Sequence, residues 1–321
     1  MKGEGARGFG WGRLIFWATT AIGVLAVLAS VAIIILGVIA IAQPFKQECV
    51  GHMKVSGELV TGSAAGGIFS AGTTGSDEYV QMIEDAGERG DVKALVIEVD
   101  SPGGSVVASR EIHDAVRDLS KPKVAYFREV AASGGYYVAA PADYIISDPD
   151  AITGSIGARA TFTDLSGLFG KIGYNQTVIK SGSHKDMGDP YRPMSEEEIN
   201  ITQAIVDEMF NEFVQAVEDG RGTRLDREGF QEILDARILT GRQAKSIGLV
   251  DEIGNRKAAF RKAAALANMS YDGDTPPICE IGGKKGLLDE MLSSASYAAA
   301  GIIRLAVFGP QPSEGVRLEY Y

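Results

Sequence analysis

From residue 92 to residue 100 the chain reads VKALVIEVD, apolar at almost every position and rich in β-branched side chains. Such a run suits a strand buried on both faces, as in a mostly parallel sheet. SPGGS (101–105) breaks it. Ala108, Ile112, Ala115, Val116 and Leu119 then recur at helical spacing and predict an amphipathic helix over 106–120. PKVAYF (122–127) and DYIISD (143–148) read as further strands, with a helix over 134–141 between them. This alternation predicts an α/β domain with right-handed crossovers.

The flanking segments fill in the frame. Gly57–Ser76 is rich in small residues and reads as a loop with one short strand, followed by a helix at 79–88. LSGLFGKIG (165–173) suits a helix, YNQTVIK (174–180) a strand, and SGSHKDMGDPYRPM (181–194) a polar loop broken by prolines. Ser195 and Glu198 have capping-box spacing and open a long helix to about Asp219. Ile199, Ile205, Met209, Phe213 and Val217 share one face of it. Shorter helices near 225–235 and 241–247, and one over 256–268, complete the core. The segment 286–308 is apolar but carries Asp289, Glu290 and Arg304, which suits an amphipathic helix on a membrane or a partner subunit.

The N-terminus breaks the globular pattern. From Leu14 to Phe45 no residue is charged. A membrane span needs about 20 apolar residues, and a cleaved signal peptide has an apolar core of only about 7–15. The preceding flank carries Lys2, Arg7 and Arg13 against Glu4. The positive-inside bias then keeps 1–13 cytoplasmic, makes 14–45 an anchor, and exports the main domain (46–270) and tail (271–321).

Charge and composition narrow the chemistry. The net charge is −11 with no basic stripe, which excludes nucleic acid as an expected partner. Cys49 and Cys279 form no C-x-x-C motif; outside the cytosol they are free to pair if the fold brings them together. Three histidines, His52, His113 and His184, make a multi-histidine metal site an unfavoured reading, and no cofactor is implied.

One short stretch does suggest catalysis. AASGGYYVA (131–139) puts Ser133 before a Gly-Gly pair at a helix start. The order differs from the G-x-S-x-G elbow. A serine nucleophile needs a base. His184, Lys180 and Lys185 all lie on the loop after 174–180, whereas His113 reads as a partly exposed helix residue and His52 lies just past the anchor. A lysine serves if a dry pocket lowers its pKa, and Ser155 in TGSIG (153–157) can aim a neutral amine without adding charge. An oxyanion hole needs converging backbone N–H groups. Gly134, at the helix start, and Gly103 and Gly104, on the turn after a buried strand, are the candidates.

DSPGGS (100–105), AASGGYYVA (131–139), TGSIG (153–157), KSGSHKDMGDPYRPMSEEE (180–198) and LTGRQAKSIGLVDEIG (239–254) occur in that order. In combination they resemble the signal peptide peptidase A family, membrane-anchored serine proteases, in its short single-domain form. The resemblance covers about residues 50–270. It implies a Clp protease/crotonase-like spiral of β-β-α units and a Ser-Lys dyad. Ser133 matches the nucleophile, Lys185 the general base, Ser155 the hydroxyl that positions the lysine, and Gly103, Gly104 and Gly134 the oxyanion hole. Lys180 then becomes a structural strand-end residue and His184 a loop residue. The resemblance also implies a homo-oligomeric ring facing the membrane, whose neighbouring subunits complete a groove for apolar remnant signal peptides. The closing RLEYY is a candidate to reach the active sites of its own ring. Two other readings compete: a catalytically silent membrane scaffold, and a crotonase-type acyl-CoA enzyme on the same fold.

Overall fold

The computed structural model describes residues 11–41, 47–64, 73–282 and 318–320. The chain divides into two units, residues 1–47 and 48–321. In the first, α1 (Trp11–Ile41) is one continuous helix. Its side chains are described without a break only over 22–34, and among the described residues no helix is long and apolar enough to cross a membrane. The expected anchor thus forms a helix but is not shown to be a span, and residues 42–46 lie outside the described residues.

The second unit begins with β1 (Cys49–Leu59), α2 (Ser76–Glu88), β2 (Val92–Ser105), α3 (Val106–Asp118), β3 (Lys123–Ala132), α4 (Gly134–Ala139) and β4 (Tyr144–Ser147). Two short strands, β5 (Ile152–Gly154) and β6 (Arg159–Ala160), lead to α5 (Ser166–Ile172) and the long α6 (Glu196–Arg221). Then come α7 (Arg227–Glu232), β7 (Ile238–Thr240), α8 (Gly241–Ser246), β8 (Glu252–Ile253), α9 (Arg256–Leu266), β9 (Ile278–Glu280) and β10 (Leu318–Tyr320). The strands form one sheet with the order β6-β10-β2-β3-β4-β8, from which β1, β9, β5 and β7 branch. Pairing is parallel except where β10 meets β2 and β6, and where β5 meets β7. The α/β domain with a mostly parallel sheet is therefore present.

Alternation along the central strands loads both sheet faces. Leu95, Ile97, Val99 and Phe127 join the core with α2, α3 and α4. Ala94, Val96, Val124 and Ile146 pack with Ala259, Phe260 and Ala263 of α9. Each large side chain buried this way contributes about 1.5–3 kcal/mol.

The structure departs from the sequence expectations at several places. SPGGS does not end β2. Positive φ angles at Gly103 and Gly104 keep it paired to Leu59 of β1 beyond a register shift. β3 continues to Ala132, because Val130–Ala132 pair with β5. Residues 174–180 form no strand; no neighbour pairs with them and Ile179 is 96% exposed. The apolar face of α6 is only half used: Phe213 and Val217 are buried, while Ile199 and Ile205 stay on the surface. The expected helix at 286–308 lies outside the described residues.

Cys49 and Cys279 form a disulfide across 230 positions, beside the pairing of β1 with β9. Closing so long a loop restricts the unfolded chain, so replacing both cysteines by serine is expected to lower unfolding free energy by about 2–5 kcal/mol. A urea midpoint equal to that of the parent chain contradicts this.

Candidate active site

Ser133 is the one residue between the last position of β3 and the first of α4. Its backbone sits at φ 53°, ψ −121°, a region that favours glycine. The surroundings fix it there. Its N–H donates to Gly154 O at 2.9 Å, and its carbonyl accepts from Tyr137 N–H at 2.9 Å. The six-residue α4 that follows is wholly buried, and Tyr136 Oη donates to Leu249 O at 2.8 Å. Ser133 itself is fully buried, and among the described residues its Oγ has no hydrogen-bond partner. An unpaired buried hydroxyl costs about 1–3 kcal/mol. Strain and an orphaned polar group at one position mark a site kept for chemistry rather than packing.

The glycine turn is pressed against this serine. A Cβ on Gly134 would collide with Ser109 Oγ and come within 3.3 Å of Gly104 N. A Cβ on Gly104 would run into the Leu59 backbone, and one on Gly135 would approach Ser101 O to 2.6 Å. The two candidate oxyanion segments are thus in contact and have no room for side chains. Gly103 commits its N–H to Ser101 Oγ at 3.1 Å, and that hydroxyl donates onward to Gly57 O at 2.6 Å. Gly104, paired in the sheet with Leu59 and Tyr320, and Gly134, at the start of α4, are the other two candidates. Ser155 is also buried, at φ 52°, one position after the carbonyl that holds Ser133 N–H. Its own N–H donates to Arg237 O at 3.0 Å.

Lys185 lies on the loop between α5 and α6. It is exposed, on a turn whose backbone is closed by Lys185 N–H donating to Gly182 O at 3.2 Å, and it makes no hydrogen bond to Ser133. Ser133, Ser155 and the three glycines thus lie together, and Lys185 makes no hydrogen bond to the Ser133 hydroxyl.

Sequence reading did not single out the arginine that braces the lysine loop. Arg192 donates from Nε and Nη2 to the Asp186 carboxylate (3.2 and 2.7 Å) and from Nη2 to Asp186 O (3.1 Å). It also donates from Nη1 and Nη2 to Glu198 (2.8 and 2.5 Å). Lys180 Nζ adds bonds to Asp186 Oδ1 (2.5 Å) and Ser183 O (2.7 Å). Lys180 is thus a loop brace rather than the end of a strand. Arg192 and then Lys180 hold the Asp186 carboxyl well below the usual carboxylate range. Arg192, with the Ser195 N–H, draws Glu198 down to about 2. The expected capping box of Ser195 and Glu198 is present, so Glu198 ties both α6 and the arginine. The one sequence signal for this brace was a carboxylate at the third position of a capped helix.

The histidines are otherwise engaged. His113 is buried rather than partly exposed, packs on the Tyr137 ring with centroids 4.8 Å apart, and has its pKa lowered by burial. His52 lies between Glu98 and Glu280, and His184 faces Glu197 at 3.6 Å. Among the described residues no group of side chains is arranged to hold a metal ion.

β10 runs antiparallel along Gly104–Ser105 on one side and Arg159–Ala160 on the other, so an extended segment fits between the glycine turn and β6. Beside β6 opens a cavity of about 370 Å³, with Ala158, Ala160, Phe162, Met194, Ile199 and Val206 in its walls.

A buried strained serine, glycine backbone packed against the next residue and an edge that accepts an extended strand make a candidate peptidase site on an α/β fold. The comparisons agree: residues 115–270 match the model of peptidase family S49. Over 218 residues the chain is 38% identical to "Putative protease MJ0651" of Methanocaldococcus jannaschii, covering 67% of this chain and 68% of that one. It is 33% identical to "Putative signal peptide peptidase SppA" of Enterococcus faecium, covering 68% and 65%. It is 31% identical to Protease 4 of Salmonella typhi, covering 74% of this chain but 38% of that longer one. The chain belongs to peptidase family S49, the signal peptide peptidase A family.

Ser133→Gly removes both the backbone strain and the orphaned hydroxyl, so it is expected to raise the thermal midpoint by at least about 2 °C. A lowered midpoint would show that the hydroxyl serves the fold.

Proposed function

We propose that this chain is a membrane-tethered serine endopeptidase in which Ser133 attacks the peptide carbonyl and Lys185 is the general base. The observation that carries the reading is the buried, strained Ser133 whose Oγ bonds to nothing. In this mechanism a neutral Lys185 amine, aimed by Ser155, takes the Ser133 proton as Oγ adds to the carbonyl carbon. Charge gathering on the carbonyl oxygen meets the N–H groups of Gly104 and Gly134, with Gly103 shaping the turn. The protonated lysine then gives its proton to the leaving amine, and water repeats the cycle on the acyl-enzyme.

The base comes from a neighbouring protomer. An exposed Lys185 and a partnerless Ser133 are what a dyad closed between copies leaves in a single chain. The unused apolar half of α6, with Ile199 and Ile205 on the surface, favours the same homo-oligomeric ring. The mostly parallel sheet with helices between its strands is compatible with the Clp protease/crotonase-like fold that the sequence motifs imply. An apolar peptide would add as a strand between Gly104 and Ala160, as β10 does, with a side chain directed to the apolar cavity beside β6. Remnant signal peptides have that chemistry. The charge-free run 14–45 anchors the protease to the bilayer holding them, and the disulfide suits an extracytoplasmic domain.

Full-length chains in detergent are expected to cleave a synthetic signal peptide, with Ser133→Ala and Lys185→Ala each abolishing cleavage while remaining folded. Co-expressing the two inactive chains is expected to restore a fraction of the activity. Full activity in Lys185→Ala overturns the dyad; no recovery on co-expression overturns its assembly between protomers.

A further inference from the structure

We propose that Arg192 is a positioning residue for the reaction: by clamping the loop that carries Lys185 onto the first turn of α6, it presents the base at a fixed place. This rests on the Ser133–Lys185 reading above.

An exposed lysine on the long stretch without helix or strand between Ile172 and Glu196 is a poor base on entropic grounds. Every backbone residue that must be fixed at the moment of reaction adds an entropic cost. The loop here is fixed beforehand. Asp186, the residue next to Lys185, is held through both its carboxylate and its backbone carbonyl by one guanidinium. The other edge of that guanidinium grips Glu198, whose carboxylate also accepts from Ser195 N–H at 2.9 Å. Glu198 is 3% exposed and sits in the first turn of a 26-residue helix. The chain of contacts therefore runs from a rigid element to the residue adjoining the base. Only a planar fork with several donors can bridge two carboxylates and a carbonyl at once, which lysine cannot do.

A second consequence is electrostatic. Asp186 is a carboxylate one residue from an amine that must be neutral to work, and a free carboxylate nearby would favour the charged amine. Arg192 and Lys180 both engage that carboxylate. Asp189, Glu197, Glu198 and His184 are further titratable groups near this turn, and Glu198 too is met by Arg192. Losing the arginine therefore loosens the base and favours its protonated form.

The test uses full-length chains and an apolar fluorogenic peptide. Arg192→Met is expected to lower kcat about 10–100-fold, as small misplacement of a catalytic group does, with KM within about twofold. The acid limb of the kcat profile should move to higher pH, and Arg192→Lys should recover only part of the rate. In co-expressed mixtures, Arg192→Met should act when placed on the Ser133→Ala chain, which supplies Lys185, and not when placed on the Lys185→Ala chain. Equal losses in both placements mark a merely structural role and overturn the proposal, as does an unchanged kcat in Arg192→Met beside an inactive Lys185→Ala. Should Arg192→Met fail to fold, Glu198→Gln decides by the same kcat and pH readouts. An active Lys185→Ala refutes the dyad instead, and mixtures with no activity refute only assembly between protomers, leaving kcat of the Arg192 variants to judge the clamp.

Discussion

A serine backbone forced into the glycine region, with its hydroxyl buried and unbonded, is the constraint around which this domain is arranged. β3 must run on past its sequence-apparent end so that Ala132 can pair with Gly154. α4 must begin at once and be wholly buried so that the next residues cannot relax. The Gly103–Gly104 segment must stay extended under positive φ so that backbone, not side chain, meets Gly134. Each feature has a local cost, and the two-sided core around β2 and β3 offsets it. Strain held this way is ready before any peptide arrives, which is the condition for electrostatic stabilisation without reorganisation.

The proposed site is unevenly divided. The serine half is built from strand ends and a wholly buried helix. The lysine half stands on a surface loop, made firm by ion pairs rather than by packing. Such pairs are strong only when geometry is fixed and several act together, as Arg192, Asp186, Lys180 and Glu198 do here. This division suits the proposed assembly of the catalytic pair between copies.

Much of the fold was legible because periodicity reports burial. VKALVIEVD and the 106–120 pattern were read correctly since both faces of the sheet and one face of α3 are in the core. The short strands β5, β6 and β7 were not, because two or three residues hold no period. YNQTVIK misled for the opposite reason: its β-branched residues favour a strand, but no neighbouring strand pairs with it. At the site, Ser133, Ser155 and the glycines drew notice through unusual local composition, and the structure brings them together. Arg192 gave no such signal, since an arginine among prolines and acidic residues looks like any solvated loop. Its meaning comes only from the two carboxylates that folding places on either side.

The most direct measurement is covalent labelling of the full-length oligomer with a fluorophosphonate, read by mass spectrometry of the digested chain. The account predicts a single adduct on the peptide containing Ser133, with labelling slowed at least about 100-fold when Lys185 is alanine. An adduct on another residue, or Ser133 labelling at the same rate without Lys185, would contradict it.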